Sequence, residues 1–118
     1  MTMSVAPAGP GWRSFTIGRQ LDCIAAPTIC DALRSAADRE ESNLLIDLEA
    51  VDAADALGIA AFIGALSSVR AEHPGVRLAV LAHRLLADTL EHDLPHGTAE
   101  IYRERMTAFG AIAAQAAA

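Results

Sequence analysis

Leu45-Ile46-Asp47-Leu48-Glu49-Ala50-Val51-Asp52-Ala53-Ala54-Asp55-Ala56-Leu57-Gly58-Ile59 leads from an apolar stretch, through a short polar connection, into a helical repeat. Its first part completes Leu44 to Leu48, a mostly apolar run of strand length, which suits a strand with neighbours on both sides. Its second part opens a helix. Asp55 stands where a carboxylate can accept the free amides of a first turn. Ile59, Phe62, Ile63, Leu66 and Val69 then recur at i, i+3, i+4, i+7 and i+10, and His73-Pro74-Gly75 stops the repeat. A buried strand, a short connection and a long helix form the unit of a parallel α/β sheet.

Toward the N-terminus, Ile29, Leu33, Ala36 and Ala37 fall on one face of a helix expected from Thr28 to about Arg39. Pro27 takes its favoured first-turn position, and Glu40 to Asn43 form the polar end. Before it, Trp12-Arg13-Ser14-Phe15-Thr16-Ile17 alternates apolar with polar, the pattern of a half-buried strand with Trp12 in the core. Gly18 to Asp22 leaves that strand, while Pro7-Ala8-Gly9-Pro10-Gly11 reverses the chain and makes residues 1–11 an N-terminal strand and turn.

Toward the C-terminus, Val76 to Leu81 is another strand, and Leu86 and Leu90 stack four apart in a helix that ends at Leu94-Pro95. Glu100-Ile101-Tyr102 is a brief last strand. Glu104 to Ala114 is expected to be helical with Met106, Phe109 and Ala113 inward, and Gln115 to Ala118 to fray. The expected order is β-β-α-β-α-β-α-β-α. That order gives an α/β fold: a mixed sheet of four to five strands, covered by about four helices and opened by an antiparallel hairpin.

All of this fits one domain over residues 1–118, with one core and no need of a metal or disulfide. The chain is 53% hydrophobic but only 4% aromatic, so the core is aliphatic. Nine basic against 15 acidic residues leave a net charge of −6, which argues against nucleic-acid or anionic-membrane binding, since both need a basic surface. No apolar run reaches the ~18 residues of a membrane span, so no membrane insertion is expected. Met1 to Gly9 lacks the cationic and long apolar regions of a secretory signal. Two cysteines without Cys-x-x-Cys spacing suit a reducing cytoplasm.

Catalytic constellations are sparse. No glycine-rich phosphate loop occurs, because no Gly-Lys-Ser or Gly-Lys-Thr follows any glycine. His92 and His96 are four apart, but Pro95 breaks the helix that would align them, so no metal site is expected. Cys23 and Cys30 are better read as buried small apolar residues than as a redox pair, given the geometry a disulfide demands. Asp47, Asp52 and Asp55 gather around one connection, yet no histidine or lysine stands near them, so capping for Asp55 and a solvated loop for Asp52 are expected. No cofactor and no enzymatic activity are anticipated.

The opening stretch resembles the STAS domain (sulfate transporter and anti-sigma factor antagonist). That family's signature is an apolar strand ending Asp-Leu, a short loop, and Asp-Ser-x-Gly-Leu opening a helix. Here Asp47-Leu48 ends the strand and Asp55-Ala56-Leu57-Gly58-Ile59 opens the helix. Gly18 to Asp22 followed by Ala26-Pro27 is similar to the family's Gly-x-Leu-Asp and Ala-Pro, with one extra residue after the glycine. The tail from Leu86 to Ala113 is similar to the family's short helix, loop, strand and final helix, so the resemblance covers nearly the whole chain.

What the resemblance implies is an interaction module. In stand-alone anti-sigma factor antagonists the serine after the aspartate receives phosphate from a partner kinase. Ala56 stands at that position and has no hydroxyl, so no phosphoacceptor remains there. Asp55 and Gly58 carry over as cap and close-approach position. A phosphate would add about −1.5 to −2 charge, and burying it unpaired in an interface costs several kcal/mol. Roughly 4 kcal/mol is a thousandfold in affinity, enough to release a partner. With Ala56 that route is closed, and of the other hydroxyls Ser67 and Ser68 fall inside the long helix, where a kinase cleft cannot easily reach the backbone, while Thr28 opens the preceding one. Of these Thr28, in a first turn, is the best replacement.

The expected partner-binding surface therefore comprises Asp22, Asp52, Asp55, Ala56, Leu57, Gly58 and Ile59. The expected partner is an anti-sigma factor of the serine-kinase type, met by a cytoplasmic monomer or weak dimer. An alternative keeps the fold but makes the chain an accessory subunit of an ABC-type lipid transporter or a stress-signalling scaffold component, with the exposed face of the Ile59 to Glu72 helix against its partner. A third possibility is a small enzyme or nucleotide-binding domain using Asp47, Asp52 and Asp55, and it lacks a nucleophile, a base and a phosphate cradle.

Overall fold

The computed structural model describes residues 2–9 and 11–117, with side chains described for 3–9 and 11–113. The elements are β1 (Thr2–Gly9), β2 (Trp12–Leu21), α1 (Ala25–Asp38), β3 (Asn43–Asp47), β4 (Val51–Ala54), α2 (Ala56–Glu72), β5 (Arg77–Leu81), α3 (Arg84–Asp93), β6 (Glu100–Tyr102) and α4 (Arg105–Ala117). The strands form one six-stranded sheet in the order β1-β2-β3-β5-β6, with β4 pairing the far end of β2. Only β1 runs antiparallel to its neighbour; β2, β3, β4, β5 and β6 pair in parallel.

Side-chain alternation divides the sheet into two unequal faces. Phe15, Ile17, Leu44, Ile46, Leu78 and Val80 turn to one face, where α1, α2 and α3 close the main core with Ile29, Leu33, Phe62, Leu66 and Leu90. Trp12, Leu45, Ala79 and Leu81 turn to the other, which α4 covers with Ala108 and Ile112. Parallel pairing needs crossover connections, so every helix begins at the edge where the parallel strands end.

Several expectations are corrected. The sheet has six strands rather than four to five, because Val51–Ala54 forms β4 where a loop was expected. Asp and Ala are poor strand formers; β4 exists because its backbone pairs with β2 at Arg19↔Val51 and Leu21↔Ala54. The same pairing carries β2 on to Leu21 instead of letting it end at Ile17, with a register shift at Arg19, whose φ is 65°. β1 likewise runs through Gly9, shortening the expected turn; Pro10 of that turn lies outside the described residues.

Helix α1 starts at Ala25, three residues before Thr28, since Asp22 caps it and Pro27 fits within a first turn whose amides need no helical partner. In α4 the inward residues are Ala108 and Ile112, with Phe109 half-buried; Met106 and Ala113 are exposed. The apolar positions of that alanine-rich helix nearly encircle it, so its pattern could not choose a face. The helix also continues to Ala117, past the expected end at Ala114, while Ala118 lies outside the described residues.

Candidate functional site

Because β4 pairs with β2, the turn from β2 into α1 and the turn from β4 into α2 lie side by side. Each is closed by an aspartate. Asp22 Oδ1 accepts from the Ile24 and Ala25 amides at 3.1 and 2.9 Å. Asp55, extended at φ −99° and ψ 169°, accepts from the Gly58 amide on Oδ1 at 2.6 Å. Both carboxylates satisfy amides that a helix start leaves without partners.

Gly58 is where the two turns touch. A Cβ built on it would lie 2.1 Å from the Leu21 carbonyl oxygen and 2.7 Å from Asp22 Cα. Only glycine permits the first turn of α2 to rest on the backbone of the neighbouring turn. Between the turns lies an open cleft of about 440 Å³, lined by Gln20, Leu21, Asp22 and the 52–55 segment. Asp52, Asp55, Ala56 and Leu57 are exposed, Asp22 and Ile59 are half-buried, and Gly58 is buried. The seven residues named from the sequence thus form one contiguous region.

Ile59 and Ile63 were expected on the core face of α2. They are instead half-buried, with Phe62, Leu66 and Val69 taking the core positions. With Ala56, Ala60 and parts of α3 they line a largely apolar groove of about 500 Å³, because α3 covers this flank of α2 only in part.

The exposed apolar residues are not scattered. Ile24 is 80% exposed, Leu57 72%, Leu85 78% and Met106 87%. They stand at the starts of α1, α2, α3 and α4 respectively, and hence all at the carboxyl edge of the parallel strands. Ile24 and Leu85 were not among the residues expected at this surface. Leu85 carried a signal, since it precedes Leu86 and cannot share its core-facing side. Val5, 45% exposed, lies on β1, away from this edge.

Asp47 does not join Asp52 and Asp55. It is buried, 3% exposed, at the end of β3. Its Oδ1 accepts from the Glu49 amide at 2.9 Å, and its Oδ2 accepts from Arg105 Nη2 at 2.7 Å. Arg105 also meets Glu49 Oε1 at 2.5 Å. Burial works against the Arg105 charge, but the Asp47 and Glu49 carboxylates outweigh it and raise the guanidinium pKa above its ordinary value. The three-aspartate cluster is therefore split between a structural ion pair and a helix cap.

Among the described residues no group of three or more His, Cys, Asp and Glu side chains could hold a metal ion. His92 Nδ1 lies 2.8 Å from Asp93 Oδ1, and His73 Nε2 lies 3.0 Å from Asp38 Oδ1. Cys23, expected to be buried, is exposed because it sits in the turn before α1, and Cys30 is half-buried; both are free. Thr28 is exposed on α1, and Ser67 and Ser68 lie mid-helix in α2. No helix among the described residues is long and apolar enough to cross a membrane.

A comparison with curated proteins found no match. Solved structures do match in fold. The anti-sigma factor antagonist SpoIIAA in its unphosphorylated form superposes with a TM-score of 0.69 at 13% identity, over 99% of this chain and 100% of that one. An anti-sigma factor antagonist from Mycobacterium paratuberculosis gives 0.68 at 18% identity, over 95% and 93%. The Bacillus cell fate determinant SpoIIAA in its phosphorylated form gives 0.65 at 12%, over 93% and 99%. At such identities the likeness is one of fold. The STAS domain family model matches residues 5–90, from within β1 to within α3, and takes in both capped turns and the Gly58 contact; this chain belongs to the STAS domain family.

Proposed function

We propose that the chain is a non-catalytic protein-interaction module of the anti-sigma factor antagonist kind. It docks through the carboxyl edge of its sheet onto an anti-sigma factor of the serine-kinase type and so frees a sigma factor in the cytoplasm. The observation that carries this reading is the exposure of Ala56 and Leu57 on a rigid turn. Asp55 caps that turn and Gly58 presses it onto the Asp22 turn. A preorganised backbone with an apolar side chain at its tip loses little entropy on binding. Ile24 and Leu85 extend the apolar surface along the same edge, and an interface of about 800 Å² per partner suits a domain of this size.

The alanine at 56 sets the regulation apart. No phosphate can be attached there, so the docking face stays in its unmodified form, and control comes through abundance, competition or another signal. The test is capture of the anti-sigma serine kinases encoded in the same genome, followed by phosphotransfer. Wild-type protein is expected to capture one such kinase, Leu57→Asp to lose it, and Val5→Asp to retain it. Equal capture by Leu57→Asp and wild type, or no capture by either, overturns the reading. Phosphate found on Thr28 overturns the account of regulation.

A further inference from the structure

The turn that carries Asp22 also carries a thiol, that of Cys23. Cys23 is exposed and Cys30 half-buried, and both open onto one shallow groove of about 280 Å³ between α1 and α2. Small side chains keep the groove open: Ala26, Ala61 and Ala65 line it, and a Cβ added at Gly64 would meet nothing within 4 Å. Arg34, one turn beyond Cys30, is fixed to Glu72 of α2 by two bonds of 2.7 and 3.0 Å. That ties α1 to α2 one turn beyond Cys30.

We propose that Cys23 and Cys30 form a thiol modification site for small-molecule disulfides, and that the Cys23–Cys30 bond it yields opens the start of α1 and loosens the docking face. The second half rests on the docking reading above. In the first step the Cys23 thiolate attacks one sulfur of the small disulfide, whose S–S bond breaks. One small thiol leaves, and Cys23 holds the other half as a mixed disulfide. The Cys30 thiolate then attacks Cys23 Sγ and expels the second small thiol. Two protein thiols are oxidised to one disulfide, one small disulfide is reduced to two thiols, and the two cysteine protons pass to the leaving groups.

Geometry couples the bond to the docking face. Cys23 precedes α1 and Cys30 is the sixth residue of that helix; the five helical steps from Ala25 to Cys30 alone rise about 7.5 Å, whereas a disulfide holds its Cα atoms within about 7 Å. Closing the bond therefore requires the first turn of α1 to let go. That turn is held by Asp22 Oδ1 on the Ile24 and Ala25 amides, and the Leu21–Asp22 backbone is the surface on which Gly58 rests. In the reduced form both turns are locked; in the oxidised form the Asp22 cap is broken.

The experiment treats the reduced protein with glutathione disulfide and follows intact mass, amide hydrogen exchange and capture of the kinase. The expected result is a transient glutathione adduct, then a species lacking two hydrogens. Exchange at Ile24 and Ala25 should quicken and capture weaken about tenfold, all reversed by a reductant and all absent from Cys23→Ser. Thiols that stay free, an adduct on Cys23 that never closes, or closure with Ile24 and Ala25 still protected would each overturn the proposal. So would the same loss of capture in Cys23→Ser. Should reduced wild type capture nothing, the docking reading fails, while mass and exchange still decide the thiol chemistry.

Discussion

Two small residues, Ala56 and Gly58, set what the α2 start can do, and they act in opposite ways. Gly58 is required by packing. In an open helix Gly→Ala gains about 1 kcal/mol, but here the new Cβ would lie 2.1 Å from a backbone oxygen. Overpacking typically costs about 1–3 kcal/mol. Gly58→Ala is accordingly expected to lower stability by about 2 kcal/mol in urea titration, despite the better helix former. Ala56 is not required by packing, since it is exposed. Ala56→Ser should fold as well as wild type and present a hydroxyl at the capped turn. The expected outcome is kinase-dependent phosphate incorporation, read by mass spectrometry, that wild type does not show, with weaker capture once the anion is in place.

At the scale of elements, the two faces of the sheet are held differently. α1, α2 and α3 share one continuous core, whereas α4 rests on its face through Ala108 and Ile112 and is pinned at its start by Arg105. Removing one partner of a fully buried ion pair costs about 3–5 kcal/mol. Arg105 is 55% exposed while Asp47 is 5% exposed at the side chain, so solvent takes up part of that loss. Arg105→Ala is expected to cost about 2 kcal/mol. Near-ultraviolet circular dichroism of Trp12, which shares the α4 core, should change with it, while the capped turn of α2 is left intact.

For the molecule as a whole, a parallel sheet gathers every helix start at one edge, so the exposed apolar residues Ile24, Leu57, Leu85 and Met106 share that edge without being near in sequence. The acidic charge that opposes nucleic-acid binding is compatible with this use. Unequal coverage also predicts unequal opening. Few buried contacts favour local unfolding, so native-state hydrogen exchange should release the amides of α4 well before those of β3, β5 and α2. Simultaneous exchange of α4 with the β3–β5 pair would show instead that the two cores open as one.

Much of this was legible in the chain itself. Apolar periodicity determined α1 and α2, and alternation determined β2 with Trp12 inside, because each pattern is a local record of which side faces the core. The Asp55 cap was equally readable, since capping needs only the residues of its own turn, whereas Gly58 as a close-approach position followed from the family resemblance alone, because the Leu21–Asp22 backbone it meets is distant in sequence. The tertiary structure alone decided the rest. β4 follows from pairing with β2 and not from its residues, α4 turns Met106 outward because its small side chains mark no face, and Asp47 pairs with Arg105 from a distant helix. Cys23 reaches solvent because the Asp22 turn leaves the sheet before α1 begins. These outcomes depend on contacts between residues far apart in sequence, which no local pattern encodes.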